Sequence, residues 1–557
     1  MSYTLRKWYQ DLLSKEKGAV QKDWGGKITV CLIFPNHYWV GMSNLGFQII
    51  YQLLNSFPDV VCERAFLPER ELLEEHQRTN TPLLSLESQR PLSQFQILAF
   101  SLPYENDYLN LLRILHWGRV PLRSGERTPR DPLVVAGGAA PTLNPEPLSP
   151  FVDVFLLGEG EATVERFLEA FRRWGDDRRR LLEGLASSEG IYVPSLYEVR
   201  YKDDGTIGSF RPLSDNIPSR VRRPWLKELD RLPLSSSLLT PETEFGEMVL
   251  LELGRGCPCR CRFCAVCSLY RPFRNRPLTL IEEGIEEGLR KARKIGLVGS
   301  ALGSHPNFEG ICERVIREGG VLSLSSLRAD AVTERVARAL ASGGQRTVSI
   351  APETGSEKLR QMVAKDLTDE EIMEATRILV KEGIVNLRLY FLVGLPGERW
   401  QDVEAIPPLL RRIRHVMIST LRKEGGRITV SVNSFVPKAW TPFQWAPYAE
   451  VTETQRKMRA LSKEIKEIKG CRMIHDLPKW GYLQALLSMG DRRVGNLLLI
   501  AWEEGGNWGM AFRRSPLNPD FWVYREKEER EILPFDFIDH GIQKERLWEE
   551  YREALGR

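Results

Sequence analysis

The sequence predicts an α/β protein: a doubly wound, Rossmann-like sheet, then an open, partial (βα)6 barrel, then a mostly helical C-terminal region. Three observations predict this. Apolar segments of strand length alternate with amphipathic helical segments as far as about residue 175, as a parallel sheet covered on both faces requires. The alternation gives way to a hairpin-and-linker pattern over 176–245. It then resumes as six strand–helix units over 246–450, and strand signals fade beyond.

The elements follow in order. Residues 1–25 read as an N-terminal helical extension. In 26–175 the strands are ITVCLIF (Ile28–Phe34), VVCERAF (Val60–Phe66), ILAFSLP (Ile97–Pro103), LVVAGGA (Leu133–Ala139) and VFLLGEG (Val154–Gly160), separated by helical stretches such as LGFQIIYQLLNS. In such sheets ligands bind beyond the carboxyl ends of the strands, where small turn-forming residues stand here. IYVPSLYEVRYKDDGTIGSFRPL reads as a hairpin turning at Asp204–Gly205. The Ser/Pro-rich RLPLSSSLLTPETEFG reads as a linker. The strands of the second run are MVLLELGRG, LVGSALG, VLSLSSLRAD, TVSIAPETG, NLRLYFLVGLPGE and ITVSVNSFVP. A barrel of this kind carries chemistry on the loops after its strands. The last segment, 451–557, reads as helical; core packing is the expected role of Trp480, Trp502, Trp508 and Trp522.

Composition sets limits. The 557 residues suit about three domains. Lys and Arg total 78 against 74 Asp and Glu, a formal charge of +4, too mild to argue for nucleic acid. No apolar run approaches the ~18 residues of a membrane span, and the N-terminus lacks a signal-peptide core. A cytoplasmic protein with no membrane partner is expected.

Nine cysteines are present, and five of them, Cys257, Cys259, Cys261, Cys264 and Cys267, fall in GRGCPCRCRFCAVCSLYRPFRNRP after the first barrel strand. Such clustering without a secretion signal points to metal binding or catalysis rather than a disulfide framework. Cys31, Cys62, Cys312 and Cys471 stand apart and read as small buried hydrophobes. Cys257, Cys261 and Cys264 have the spacing CxxxCxxC, with Phe263 before the last cysteine. Iron–sulfur cubanes normally take four thiolates. Three would leave one iron open to the amino and carboxylate groups of S-adenosylmethionine. A zinc knot through Cys261, Cys264, Cys267 and another thiol is the alternative, with no second CxxC elsewhere to support it. Cys259 and Cys267 are then spare or resolving thiols. Arg255, Arg260, Arg262, Arg271, Arg274 and Arg276 surround the cysteines; they either offset cluster charge or grip an anionic group.

These residues resemble the radical S-adenosylmethionine superfamily, and more narrowly its branch with an N-terminal cobalamin (B12)-binding-type domain. APETGSEKLRQMVAKDLTDEEI is similar to that branch's fourth-strand segment, YFLVGLPGE to its fifth-strand signature, SSLRAD to its third-strand ending and FVPKAWTPFQW to the stretch after its sixth strand. Likeness to a largely uncharacterised bacterial family of such enzymes runs through VGMSNLGFQIIYQLLN, TPLLSLESQRPL, AGGAAPTLNPEPLSPFVDVFLLGEGE, GDRRVGNLLLIAW and LPFDFIDHGIQKERLWEE. The resemblance implies a TIM-like radical barrel with a [4Fe-4S] cluster on Cys257, Cys261 and Cys264. It implies an S-adenosylmethionine pocket lined by Phe263, Ser326, Arg328, Glu353, Thr354, Gly355, Ser356, Gly394, Pro396 and Gly397. For cobalamin it implies Gly41, Ser43, Ser101, Tyr104, Gly137, Gly138, Gly158, Glu159 and Gly160. The cobalt-ligating D-x-H-x-x-G motif is absent: PNHYWVG offers His37 without the aspartate, and Gly41 is one residue too far.

The activity implied is cobalamin-dependent methylation of an unactivated carbon, with an electron donor such as flavodoxin or ferredoxin. The alternatives are radical chemistry of another kind (cyclisation, oxidation or thiolation) beside a degenerate first domain, and a non-enzymatic iron–sulfur protein associated with RNA or ribosomes. Mild charge and the lack of a recognised RNA-binding module speak against the last.

Overall fold

The computed structural model describes residues 2–230, 234–324 and 326–557. Arg231, Leu232 and Pro233, which open the stretch read as a linker, lie outside the described residues, as do Met1 and Ser325. The chain forms two compact units. One comprises Met1–Glu247, Leu486–Pro519 and Arg530–Ile542; the other comprises Met248–Ala485, Asp520–Glu529 and Gln543–Arg557. The segment read as a single C-terminal region is thus divided between both.

The first unit is built on a six-stranded sheet: β1 (Ile28–Phe34), β2 (Val60–Phe66), β3 (Ile97–Ser101), β4 (Leu133–Gly137), β5 (Val154–Leu156) and β6 (Ile191–Tyr192). The order is β2-β1-β3-β4-β5-β6. The first five strands are parallel and β6 runs antiparallel to β5. β2 is buried along its whole length and β1 along all but its first residue; β1 reads accordingly as a near-continuous apolar run, whereas β2 carries Glu63 and Arg64 in its buried middle. Chain order reverses beside β1, so the crevice between β1 and β3 is the topological switch point. The hairpin forms over Tyr197–Tyr201 and Ile207–Pro212. Its turn has Gly205 at φ +83° and the Asp204 carboxylate accepting from the Thr206 N–H at 2.8 Å. Ile191–Tyr192, expected in that hairpin, extends the main sheet instead. Beyond the undescribed residues, the supposed linker is docked: Leu238 and Leu239 are buried, and Leu239 exchanges backbone hydrogen bonds with Lys17. Of the C-terminal segment, Ala501 and Ala511 pack with Leu109 beneath Trp502 and Trp508. Ile538–Asp539 pairs with Val221–Arg222.

Inside this unit the Arg64 guanidinium meets Glu87 at 2.7 Å and Glu16 at 2.6 Å, all three side chains being almost wholly buried. Its face lies 4.6 Å from the centre of the Tyr51 ring. Glu16 follows the first helix, so the network fastens the N-terminal extension to β2.

The second unit holds seven parallel strands. Val249–Glu252, Lys294–Val298 and Val321–Leu324 form one hydrogen-bonded sheet. Thr347–Glu353, Asn386–Val393, Arg427–Ser434 and Cys471–His475 form the other. The Leu327 N–H donates to the Ser349 carbonyl across the break. Helices between successive strands complete the six expected strand–helix units. The seventh strand, Cys471–His475, is an addition to the mostly helical reading of that stretch. It lies at the sheet edge with Arg472, Ile474 and His475 exposed, so it carries no apolar run to betray it. Because the strands are parallel, their carboxyl ends share one face, and the loops there make the site.

Arg64→Leu should strand two carboxylates in the core. Removing one partner of a buried ion pair costs about 3–5 kcal/mol, so the first unit should unfold at lower denaturant concentration with an unchanged denaturant slope.

Candidate active site: the cysteine hairpin

The cysteine segment is a loop pinned at its base. Gly254–Arg255 pairs antiparallel with Arg274–Asn275. The Arg276 N–H donates to the Leu253 carbonyl. The Glu252 carboxylate, at the end of the first barrel strand, accepts from Arg255 at 2.8 Å and from Arg276 at 2.5 Å, so one acid ties both ends together. The Arg276 side chain is fully buried, and its carbonyl faces His305 Nε2 at 3.2 Å. Gly256 is required where it stands: φ is +83°, and a Cβ would lie 2.6 Å from the Tyr270 carbonyl oxygen.

All five cysteines of the loop are free and partly buried. Cys264 closes a turn on Cys261 through its N–H. Cys267, on the one-turn helix Val266–Leu269, places its Sγ 2.6 Å from the Cys259 carbonyl. Its thiol also reaches the sulfurs of Cys257 and Cys264. The neighbouring Cys259 and Cys267 thiols hold Cys257 well below the usual thiol range, and the proximity of Cys267 lowers Cys264. Burial pushes Cys261 up. Among the described residues, no three His, Cys, Asp or Glu side chains gather around a single point as they would for one metal ion. A cubane spreads its thiolates, one to each iron.

Three charged groups lie within electrostatic reach of these thiols. Glu353 ends its strand at φ +69° and affects Cys261 and Cys264. Burial raises its carboxyl, against the pull of Lys365 and Arg328. Lys365 Nζ lies 3.2 Å from the Glu353 carboxylate, and both side chains are largely buried. Arg328 forks onto Asp330, with its guanidinium acting on Cys257, Cys259 and Cys261. Lys365 was not singled out from the sequence, although it stands within the quoted fourth-strand segment.

The other residues expected around S-adenosylmethionine divide. Phe263 is partly buried in the loop, Pro396 is partly buried, and Ser326 is exposed. Thr354 is buried, with its hydroxyl donating to the Ser356 carbonyl. Ser356 caps the helix Glu357–Met362. A Cβ on Gly355 would meet the Ile406 nitrogen at 2.4 Å, so that glycine permits backbone packing. Gly394 and Gly397 both have positive φ. The Gly394 N–H is capped by Glu398, whose carboxylate pairs with buried Lys457 at 2.9 Å. This signature therefore holds its own loop. The acids that answer the arginines come from outside the loop: Glu252, and Glu553, which Arg262 meets at 2.6 Å while also donating to the Met362 carbonyl.

At the carboxyl edge of the first unit, Asn36 donates to Asp107 at 2.8 Å across the switch point. His37 Nδ1 is engaged with the Leu67 carbonyl. Several glycines expected to cradle cobalamin are filled by the protein itself. A Cβ would meet Phe66 at Gly41, the Leu156 carbonyl at Gly137, the Leu102 carbonyl at Gly138, the Pro224 carbonyl at Gly158 and Ile50 at Gly160. Buried Glu159 accepts from the Leu226 N–H, and Ser43 donates to the Trp39 carbonyl. Ser101 ends β3 half-buried, and Tyr104 and Trp39 are exposed there.

A thiol-rich hairpin on the first strand of a partial barrel, facing an acid and two cations, defines a class of cysteine-anchored barrel enzyme. Residues 251–407 match the model of the radical SAM superfamily, and residues 46–194 match a model described as the N-terminal region of radical SAM proteins. The chain carries both domains and is a radical SAM enzyme. It is 28% identical over 475 residues to an uncharacterized protein of Methanocaldococcus jannaschii, MJ0966, covering 84% of this chain and 90% of that one. It is 25% identical over 298 residues to an uncharacterized methyltransferase of Pyrococcus horikoshii, PH0819, covering 49% and 56%. Among solved structures it is similar to the radical S-adenosylmethionine methyltransferase TsrM of Kitasatospora setae, solved with cobalamin and a [4Fe-4S] cluster; the TM-score is 0.47 at 13% identity, covering 95% and 100%. No described helix is long and apolar enough to cross a membrane.

Burial lifts the Asp107 carboxyl to about 6, above the roughly 3.9 of an unfolded aspartate. The folded state then holds the proton more tightly, so this residue's stabilising contribution is present at pH 4 and lost as pH rises through 6. Asp107→Asn should remove that segment from a plot of first-unit stability against pH.

Proposed function

We propose that the protein binds a [4Fe-4S] cluster through Cys257, Cys261 and Cys264, and that it is a cobalamin-dependent methyltransferase acting on an unactivated carbon. One observation carries this: the cysteine hairpin faces Glu353, Lys365 and Arg328 from neighbouring barrel loops. A zwitterionic ligand needs opposite charges side by side. Lys365 and Arg328 are suited to a carboxylate, and Glu353 to an amino group or ribose hydroxyls. When bound, the cluster and S-adenosylmethionine supply one-electron reductive cleavage of the sulfonium. The protein's part is to hold the ligand beside the thiolates and shield the centre. Flavodoxin or ferredoxin would be the electron donor.

The name of the Pyrococcus relative supports methyl transfer. A corrin would rest on the edge formed by Ser43, Ser101, Tyr104 and Trp39, without a histidine on cobalt, since His37 is occupied by Leu67. A specific observation favours a second reading, radical chemistry of another kind without cobalamin: Gly138, Gly158 and Gly160 are packed against the protein's own atoms.

Anaerobic reconstitution should give about four irons per chain and formation of 5′-deoxyadenosine from S-adenosylmethionine under reduction. Both should be lost in the Cys257→Ala, Cys261→Ala and Cys264→Ala variants. A corrin in the purified protein, found by absorbance and mass spectrometry, selects methyl transfer; a corrin-free protein that still cleaves S-adenosylmethionine selects the second reading.

A further inference from the structure

The two sheets of the barrel differ on the face turned away from their helices. In the first sheet, a Cβ on Gly288, in the helix Leu278–Lys291, would meet Ile295 and Val249, so those residues face outward. Successive residues of a strand point to opposite faces. Leu250 and its register partner Gly296 therefore line the inside, where a Cβ on Gly296 would meet Met248 and Leu250. That inner wall is apolar.

In the second sheet the buried residues alternate. They are Leu387, Leu389, Phe391 and Val393 on the strand Asn386–Val393, and Ile428, Val430 and Val432 on the strand Arg427–Ser434. Right-handed crossovers between parallel strands keep the helices on one side, so these apolar residues meet the helices. The residues between them face the lumen, and they include Arg388, Tyr390, Thr429 and Ser431. Register sets Ser349, Arg388, Thr429 and Arg472 in one row across four strands. In a closed barrel bulky apolar side chains fill such a layer; this row carries two arginines. Arg388 is exposed although a strand flanks it on either side, so the space above it is open. Arg472 is also exposed, with its Nε donating to Thr429 Oγ1 at 3.2 Å. Among the described residues neither guanidinium meets a carboxylate.

We propose that Arg388 and Arg472 form a substrate subsite on the inner wall of the barrel, gripping an anionic group, carboxylate or phosphate, of a molecule whose carbon skeleton lies along Met248 and Leu250. Two guanidiniums without an acid between them suit an oxyanion, and an apolar wall suits a hydrocarbon. The inference deepens the radical reading proposed above and rests on it for the reaction. Glu353 pairs with Phe391, three residues beyond Arg388 towards the carboxyl ends of the strands. At about 3.3 Å per residue, the anion sits roughly 10 Å below the level at which the chemistry takes place. The substrate is thus an elongated amphiphile whose charge is remote from the carbon that reacts.

The test titrates the anaerobically reconstituted full chain with decanoate and with decyl phosphate, using decan-1-ol as the uncharged control, and reads the heat of binding. At least one anion should bind about tenfold or more tightly than the alcohol, and the tighter of the two identifies the group the row prefers. Arg388→Gln and Arg472→Gln should each weaken that anion about tenfold or more and leave the alcohol unchanged. In the unaltered chain, phenylglyoxal labelling mapped by mass spectrometry should be slowed at Arg388 and Arg472 by the anion and not by the alcohol, a measurement independent of how the variants fold. Equal binding of anions and alcohol, or labelling of both arginines that no anion slows, would overturn the proposal. A chain that binds the anion but neither holds iron nor cleaves S-adenosylmethionine overturns the radical reading and leaves the subsite standing. A chain that cleaves S-adenosylmethionine and binds neither anion does the reverse.

Discussion

The carboxylate of Glu252 is the constraint on which the site depends. A loop of five thiols has little apolar surface with which to hold its own shape, and ligands are useful only if their spacing is fixed before anything binds them. Glu252 solves this from the end of a buried strand by gripping Arg255 before the cysteines and Arg276 after them. Charge pairs at this depth repay their desolvation only when geometry is good and further hydrogen bonds are made. Here Arg276 reaches Glu252 through both Nε and Nη2. The hairpin ladder behind it supplies the remaining restraint.

Around that anchor the barrel delivers charge from loops far apart in sequence. Glu353 and Lys365 straddle a short helix that Ser356 caps, and the buried Arg360 bonds the Leu367 and Thr354 carbonyls and pairs with Asp369. The GLPGE loop is fixed separately by Glu398 and Lys457. The glycines in these segments serve two purposes, positive φ at Gly394 and Gly397 and close backbone approach at Gly355. This framework fixes where charge stands beside the sulfurs.

Much of the scaffold was legible in the sequence because burial writes itself into hydrophobic pattern. β1 begins and ends where its apolar run does, and β2 keeps its expected bounds although Glu63 and Arg64 interrupt its apolar residues. Cys471–His475 was hidden because half its side chains face solvent. The cysteines were legible because their spacing is local. Lys365, the Glu252 clamp and the Glu553 brace were not, since ion pairing, near or far along the chain, leaves no periodic trace. The glycines of the first domain carry a packing constraint that the sequence does not display: Gly138 and Gly158 make room for Leu102 and Pro224.

The brace from Arg262 to Glu553 has a consequence for biosynthesis. The two residues are 291 positions apart. At about 5–20 residues per second, the ribosome makes the thiol segment roughly fifteen seconds to a minute before the helix that secures it. During that interval the thiol segment would rely on the Glu252 clamp and its own hairpin ladder alone.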